Sequence, residues 1–183
     1  MSAFPAHPAR FAGPLLAASL LGLAACTDKA AEKFGPPCPT TAILRDAADL
    51  HRYRGSGRDI IDNELDGRIT AISGSCVRDG DSIVAATIAI SMELVRGPVA
   101  GSRIADVAYF IAVLDGDRIL EKRVYSLNPE FPPNTDRLRL TGESIELRVP
   151  VTPQKTAAAY RITVGFQLTP HELEINRERG GRR

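Results

Sequence analysis

The stretch Val107-Ala108-Tyr109-Phe110-Ile111-Ala112-Val113-Leu114, followed by Asp115-Gly116, decides the fold. Val107, Tyr109, Ile111 and Val113 fall on one face of an extended chain, and Ala108, Phe110, Ala112 and Leu114 on the other. A strand apolar on both faces belongs in the middle of a sheet, with something covering each side. Asp-Gly supports the positive φ of a tight hairpin, so a partner strand is expected at 118–125. Working outward, period two recurs. Ile88, Ile90, Met92 and Leu94 alternate with Ala89, Ser91 and Glu93, and Ile145, Leu147 and Val149 alternate with Glu146 and Arg148. Tyr160, Ile162, Val164, Phe166 and Leu168 alternate with Arg161, Thr163, Gly165 and Gln167. Asp79-Gly80 marks a second hairpin, between strands near 68–77 and 82–95.

About seven such strands separated by turn signals predict an all-β domain, an antiparallel β-sandwich. The arrangement resembles the immunoglobulin-like architecture, although the usual core Trp is missing, and architecture alone implies no function. Residues 41–53 fit both helical spacing and an irregular strand, and an extended segment with a helical turn is expected there. Ser126 to Asp136, with Pro129, Pro132 and Pro133, reads as a long polar loop. Thr169-Pro170-His171-Glu172 makes a capping box, with Thr169 as N-cap and Glu172 at the third helical position. A short C-terminal helix to about Asn176 should follow.

The 183 residues carry 23 Lys+Arg against 22 Asp+Glu, which argues against a dedicated nucleic-acid binder. The amino-terminal segment carries the clearest message. Met1 to Gly13 holds one basic residue, Arg10, and no acid; the apolar run Pro14 to Ala25 then ends at Cys26. Such a run rises about 18 Å as a helix, short of the roughly 30 Å hydrocarbon layer, and matches the hydrophobic region of an export signal. Leu23-Ala24-Ala25-Cys26 resembles the lipobox of bacterial lipoproteins. The resemblance implies cleavage after Ala25, a diacylglycerol thioether on Cys26 and acylation of the new amino terminus, commonly with palmitate. Two or more acyl chains make a stable membrane anchor. In enteric bacteria an Asp directly after the Cys retains lipoproteins in the inner membrane. Thr27 stands there and Asp28 one later, so the implied location is the inner leaflet of the outer membrane, facing the periplasm, with the inner membrane as the alternative.

The layout expected is therefore a signal peptide at 1–25, a lipidated tether at 26–39, a sandwich at 40–176 and a basic, disordered tail at 177–183. The prolines around Cys38 suit an extended tether. The tail's four Arg either solubilise the end or touch anionic lipid phosphates. In an oxidising compartment the remaining pair, Cys38 and Cys76, reads as a disulfide stapling the segment entering the domain to an early strand. A redox pair or metal site lacks the usual C-x-x-C spacing or extra ligands.

Motifs for chemistry are sparse. His51 and His171 are the only histidines after Ala25, and Ile175 stands where a zinc-protease helix would carry its second His. Neither a G-x-S-x-G elbow nor a phosphate loop is present. Asp62-Asn63-Glu64-Leu65-Asp66-Gly67-Arg68-Ile69 resembles the first half of an EF-hand loop, but Ser73 replaces the bidentate Glu, and a turn leading into a strand is the better reading. The dense polar segment His51 to Asp62 supplies candidate interaction residues: Arg54, Arg58, Asp59 and Asp62. Arg58 could pair with Asp59 or Asp62, or bind a carboxylate or phosphate on a partner.

These readings converge on a non-enzymatic accessory or protein-interaction module of the cell envelope, held at the membrane through Cys26, with an envelope protein as partner and no cofactor, metal or nucleic acid. Alternating Val/Ile/Ala-rich strands and the ending Val164 to Thr169 are similar to Gram-negative envelope lipoproteins of unassigned activity. A small-ligand or ion-binding lipoprotein is the alternative, and a hydrolase comes after it.

Overall fold

Residues 37–180 are described by the computed structural model. The expected signal peptide, Cys26 and residues 181–183 lie outside them. Strands run in the order β1 (Thr40–Ile43), β2 (Asp49–Tyr53), β3 (Asn63–Asp79), β4 (Ile83–Arg96), β5 (Val107–Asp115), β6 (Arg118–Leu127), β7 (Arg137–Thr141), β8 (Ile145–Pro150) and β9 (Tyr160–Phe166), followed by helix α1 (Pro170–Gly180). One sheet has the order β1-β9-β5-β6; the other has β2-β3-β4, with β7 and β8 sharing the far side of β4. β7 pairs with the second half of β4 and β8 with the first, so together they form one edge interrupted at residues 142–144.

β5 is flanked by β9 and β6, as its two apolar faces require. Val107, Tyr109, Ile111 and Val113 join Ile90, Met92 and Leu94 of β4 and Ile162, Val164 and Phe166 of β9 in a single core between the sheets. On the other face Phe110 and Ala112 pack with Ala47, which sits in the 3-10 turn Arg45–Ala47 between β1 and β2. Gly165 permits that cover: a Cβ there would lie 2.8 Å from that of Ala47 and 2.9 Å from the Phe110 ring. Lys122 of β6 lays its ammonium 4.5 Å from the centre of the same ring. Both Asp-Gly hairpins form, with Gly80 at φ +69° and Gly116 at φ +60°.

Five expectations need correction. The sandwich is not wholly antiparallel, because β1 pairs parallel to β9, from Thr40↔Arg161 to Ile43↔Val164. The chain enters beside Cys38 at the end of the domain where β9 begins, so the two strands run the same way. Ser126 to Asp136 is not polar throughout: Phe131 is 1% exposed, its N–H donating to the Arg103 carbonyl at 2.8 Å, and it plugs the open end of the core. The strand expected near 68–77 begins at Asn63, so most of the EF-hand-like stretch is already strand. Finally, α1 reaches Gly180, which places Arg177 to Gly180 in a helix instead of a disordered tail. At the other boundary Pro39 is buried and belongs to the domain, not to a solvated tether.

Cys38 and Cys76 lie at disulfide distance, with Cα atoms 5.7 Å apart. Cys38 precedes β1 of one sheet and Cys76 sits near the end of β3 in the other, so the crosslink joins the two layers at the end where the chain enters.

Candidate functional site

At the opposite end of β3, the loop between β2 and β3 gathers the residues singled out from sequence. Asn63 and Cys76 are thirteen positions apart on one strand, about 40 Å at the usual rise. The loop turns through Gly55 at φ +62°, and its second half is the 3-10 turn Ile60–Asp62. Arg54 N–H donates to the Asp62 carbonyl at 2.9 Å, which closes the loop neck. Gly57 is required there, because a Cβ at that position would sit 2.3 Å from the Asp62 carboxyl carbon.

The four candidates do not form one cluster of charge. Arg54 pairs with Glu64 at 3.4 Å and donates to the Val99 carbonyl. Arg58 pairs with Glu178 of α1, so the expected partners Asp59 and Asp62 are both passed over. Asp59 precedes the 3-10 turn without a side-chain cap bond. Asp62 acts through its backbone, as the neck acceptor and as donor to the Asp59 carbonyl at 3.0 Å. Next to the neck the 3-10 turn instead presents apolar side chains to solvent: Ile60 and Ile61 are 82% and 69% exposed.

Beside this loop lies a polar network that sequence reading missed. His51 and Asp66 stand directly opposite each other across β2 and β3, with Nδ1 2.6 Å from Oδ1. The buried Asn63 donates to the same carboxylate oxygen at 3.0 Å. Burial pushes the Asp66 carboxyl up, but the hydrogen bond and charge of His51, the Asn63 bond and the nearby Arg179 guanidinium outweigh it and hold the group below its ordinary value. Register was the missing signal. Nine residues separate Tyr53 from Asn63, and no hairpin motif fixes which positions face each other.

α1 is fastened over β2 by the reciprocal capping box and an inward ion pair. Thr169 N–H donates to Glu172 Oε2 at 2.8 Å, and Glu172 N–H donates to Thr169 Oγ1 at 3.2 Å. Arg52 Nε donates to the other oxygen of the buried Glu172 at 3.0 Å, and Arg52 Nη1 to the Asp106 carbonyl at 2.8 Å. Further along, Asn176 Nδ2 donates to the carbonyls of Asp46 and Asp49, and Arg179 donates to the Tyr53 hydroxyl. Asn176 Oδ1 is buried with no protein partner.

Between α1, the 3-10 turn after β1 and β2 runs a groove of about 810 Å³, lined by His51, Arg45, Arg68 and Arg179 together with Asp46 and Asp49. Arg68 is held by Asp49 at 2.6 Å, and Arg45 has no ion-pair partner among the described residues. The arrangement can orient an imidazole and present guanidinium groups; the groove lining includes no hydroxyl or thiol side chain. Among the described residues no three His, Cys, Asp or Glu side chains gather as a metal site. His171 is exposed, and Ile175 is buried beneath α1. Compared with known proteins, the chain matches no family model, no curated sequence and no solved structure.

Proposed function

We propose that this chain is a lipid-anchored envelope protein, attached through Cys26 at the periplasmic face of the outer membrane, whose β domain serves as a non-enzymatic module for binding another envelope protein. The supporting observation is directional. The crosslinked Cys38, twelve residues after the anchor cysteine, lies at one end of the sandwich, and the loop carrying Arg54, Arg58, Ile60 and Ile61 lies at the other. A tether of that length reaches at most about 40 Å, so it confines the domain to a thin layer and raises its effective concentration for partners there. Exposed isoleucines rimmed by arginine are the side chains from which protein contacts are commonly built.

We further read the sandwich as immunoglobulin-like. In support, β3-β4-β7/β8 and β9-β5-β6 follow the neighbour order A-B-E and F-C-C′ of that architecture. It departs in giving the place of the last strand to β1, and in a disulfide that does not link the central strands of the two sheets.

Detergent phase partitioning of the native product tests the anchor. The wild type should enter the detergent phase and begin at a modified Cys26, and Cys26→Ser should remain aqueous; a wild type that keeps Met1 or stays aqueous refutes it. Photo-crosslinking from position 60 in intact cells tests the module, with one envelope protein captured there and not from a control at position 124. The groove beneath α1 favours a second reading, an anion-binding lipoprotein. It calls for thermal stabilisation by inorganic phosphate that Arg179→Ala removes.

A further inference from the structure

β2 covers only the first part of β3. Its pairing runs from Tyr53↔Asn63 to Asp49↔Arg68, and one more bond, from Ile69 N–H to the Ala48 carbonyl, ends the cover. From Ala71 to Asp79, β3 is bonded to β4 on one side, and no backbone bond among the described residues reaches its other side. Among the described residues this is an edge without a bonded neighbour, approached only by β1 and by Cys38 through its crosslink to Cys76, and it is a template for another extended chain.

Composition sets this edge apart from the others. β6 carries four charged residues along its length, and β7 and β8 carry two each with a break between them. β2 has α1 packed over it, and β1 is four residues long. Ala71-Ile72-Ser73-Gly74-Ser75-Cys76-Val77 has no charge and no proline, and Ser73, Gly74 and Ser75 are exposed. Between the bulge at Ile69–Ala71 and the charged pair Arg78-Asp79, the edge carries neither of two common blunting devices, charge and proline.

A socket opens beside it. Ile72 and Cys76 point into the seam between the sheets, and Gly74 between them contributes no side chain. Glycine is imposed there by β4, since a Cβ would lie 2.2 Å from the Thr87 carbonyl oxygen. The cavity beside it, about 220 Å³, is lined by Cys38, Pro39 and Thr41 of the entering segment together with Ile72, Ile88 and Ile162. Its floor is the apolar core itself.

We propose that the open edge of β3 is a strand-addition site for an extended peptide segment of a partner protein, uncharged over about seven residues, with one aliphatic side chain seated in the socket at Gly74. The unpaired backbone donors and acceptors repeat at the spacing of a strand, and only another extended backbone complements them. The side chains on the bound strand alternate, so those facing the seam select for small apolar residues and those facing solvent are unconstrained. This rests on the interaction-module reading and adds to it a second contact, on β3 at the end of the domain opposite the Ile60–Ile61 loop, together with the kind of segment the partner offers there.

The test uses the full chain in detergent and synthetic peptides of about ten residues, alternating Thr with Ala, Val, Leu or Phe between terminal lysines. Each has a twin N-methylated at alternate residues along the bonding side. Binding should slow amide exchange across Thr70 to Val77, and the matched twin should bind roughly tenfold or more weakly, because backbone bonds are lost without any change of side chain. Ser73→Lys with Ser75→Lys should abolish the protection, and Ser73→Thr with Ser75→Thr should retain it. Equal binding by peptide and twin, protection on β6 instead, or no binding by any peptide overturns the proposal. Failure here leaves the partitioning result for Cys26 untouched, and an aqueous wild type that still binds the peptides removes the anchor but keeps the edge.

Discussion

Replacing Cys38 and Cys76 by Ser tests how the end of the domain where the chain enters is held. The crosslink spans 38 residues of sequence and encloses β1, β2 and most of β3. Freeing that loop in the unfolded chain costs the folded state about 4 kcal/mol in the chain-entropy relation. At a urea dependence of about 2 kcal/mol per molar for a domain of this size, the midpoint should fall by about 2 M. The melting temperature should fall by about 12 °C. Urea titration of wild type and double variant, followed by far-ultraviolet circular dichroism, measures the shift, and dithiothreitol should lower the wild type to the level of the variant. Cys38 is exposed and Cys76 only partly buried at the margin of the core, so the variant should retain its packed core and a cooperative transition. A midpoint change below about 0.5 M, or a wild type indifferent to reductant, would refute the claim that the crosslink restrains the two layers.

Phe131→Ala should cost about 3–5 kcal/mol, because the ring plugs the core from a loop that has no other large anchor; chemical denaturation checks it, and a loss below 1 kcal/mol contradicts the plug. Glu172→Ala removes the capping-box acceptor and leaves the Arg52 side chain without its inward partner, a loss of about 2 kcal/mol accompanied by faster amide exchange throughout α1. For Asp66 the sign follows from its lowered folded value: the stabilisation is present above the ordinary carboxylate range and disappears as pH falls through the folded value. Because the side chain is 43% exposed, solvent screening limits the effect to under about 1 kcal/mol. Urea midpoints of wild type and Asp66→Asn should therefore differ at pH 7 and converge as the pH falls through the lowered folded value, and a gap that stays constant across the acid range would be inconsistent with an ionised partner for His51.

Local rules account for most of the fold. The two-faced run Val107 to Leu114 announced a central strand because each side chain's face follows from its parity alone, and β5 is central. Thr169 to Glu172 specified its helix start because both reciprocal bonds span three residues. The candidate site was less legible. Arg54, Arg58, Asp59 and Asp62 were marked by composition, and the loop that carries them is where that marking put it. Their partners were not foreseen. Arg58 finds Glu178 across 120 positions, and nearer carboxylates in sequence point elsewhere. His51 with Asp66 escaped notice for a related reason, since each is unremarkable until the β2–β3 register places them opposite one another.

Sequence by itself determined the cores of β4, β5, β8 and β9, which faces they bury, where the two Asp-Gly hairpins turn and how α1 is capped. These depend on covalent geometry and short-range hydrogen bonding, which act within a few residues. Tertiary structure alone decided that β1 runs parallel to β9, that Phe131 closes the core from a loop, that α1 is fastened over β2, and that the second half of β3 has, among the described residues, no strand bonded to its outer side. Those outcomes depend on which surfaces meet after the two sheets stack. Burial of apolar faces is non-directional, so periodicity records that a face must be covered and leaves the identity of the cover to the assembled chain.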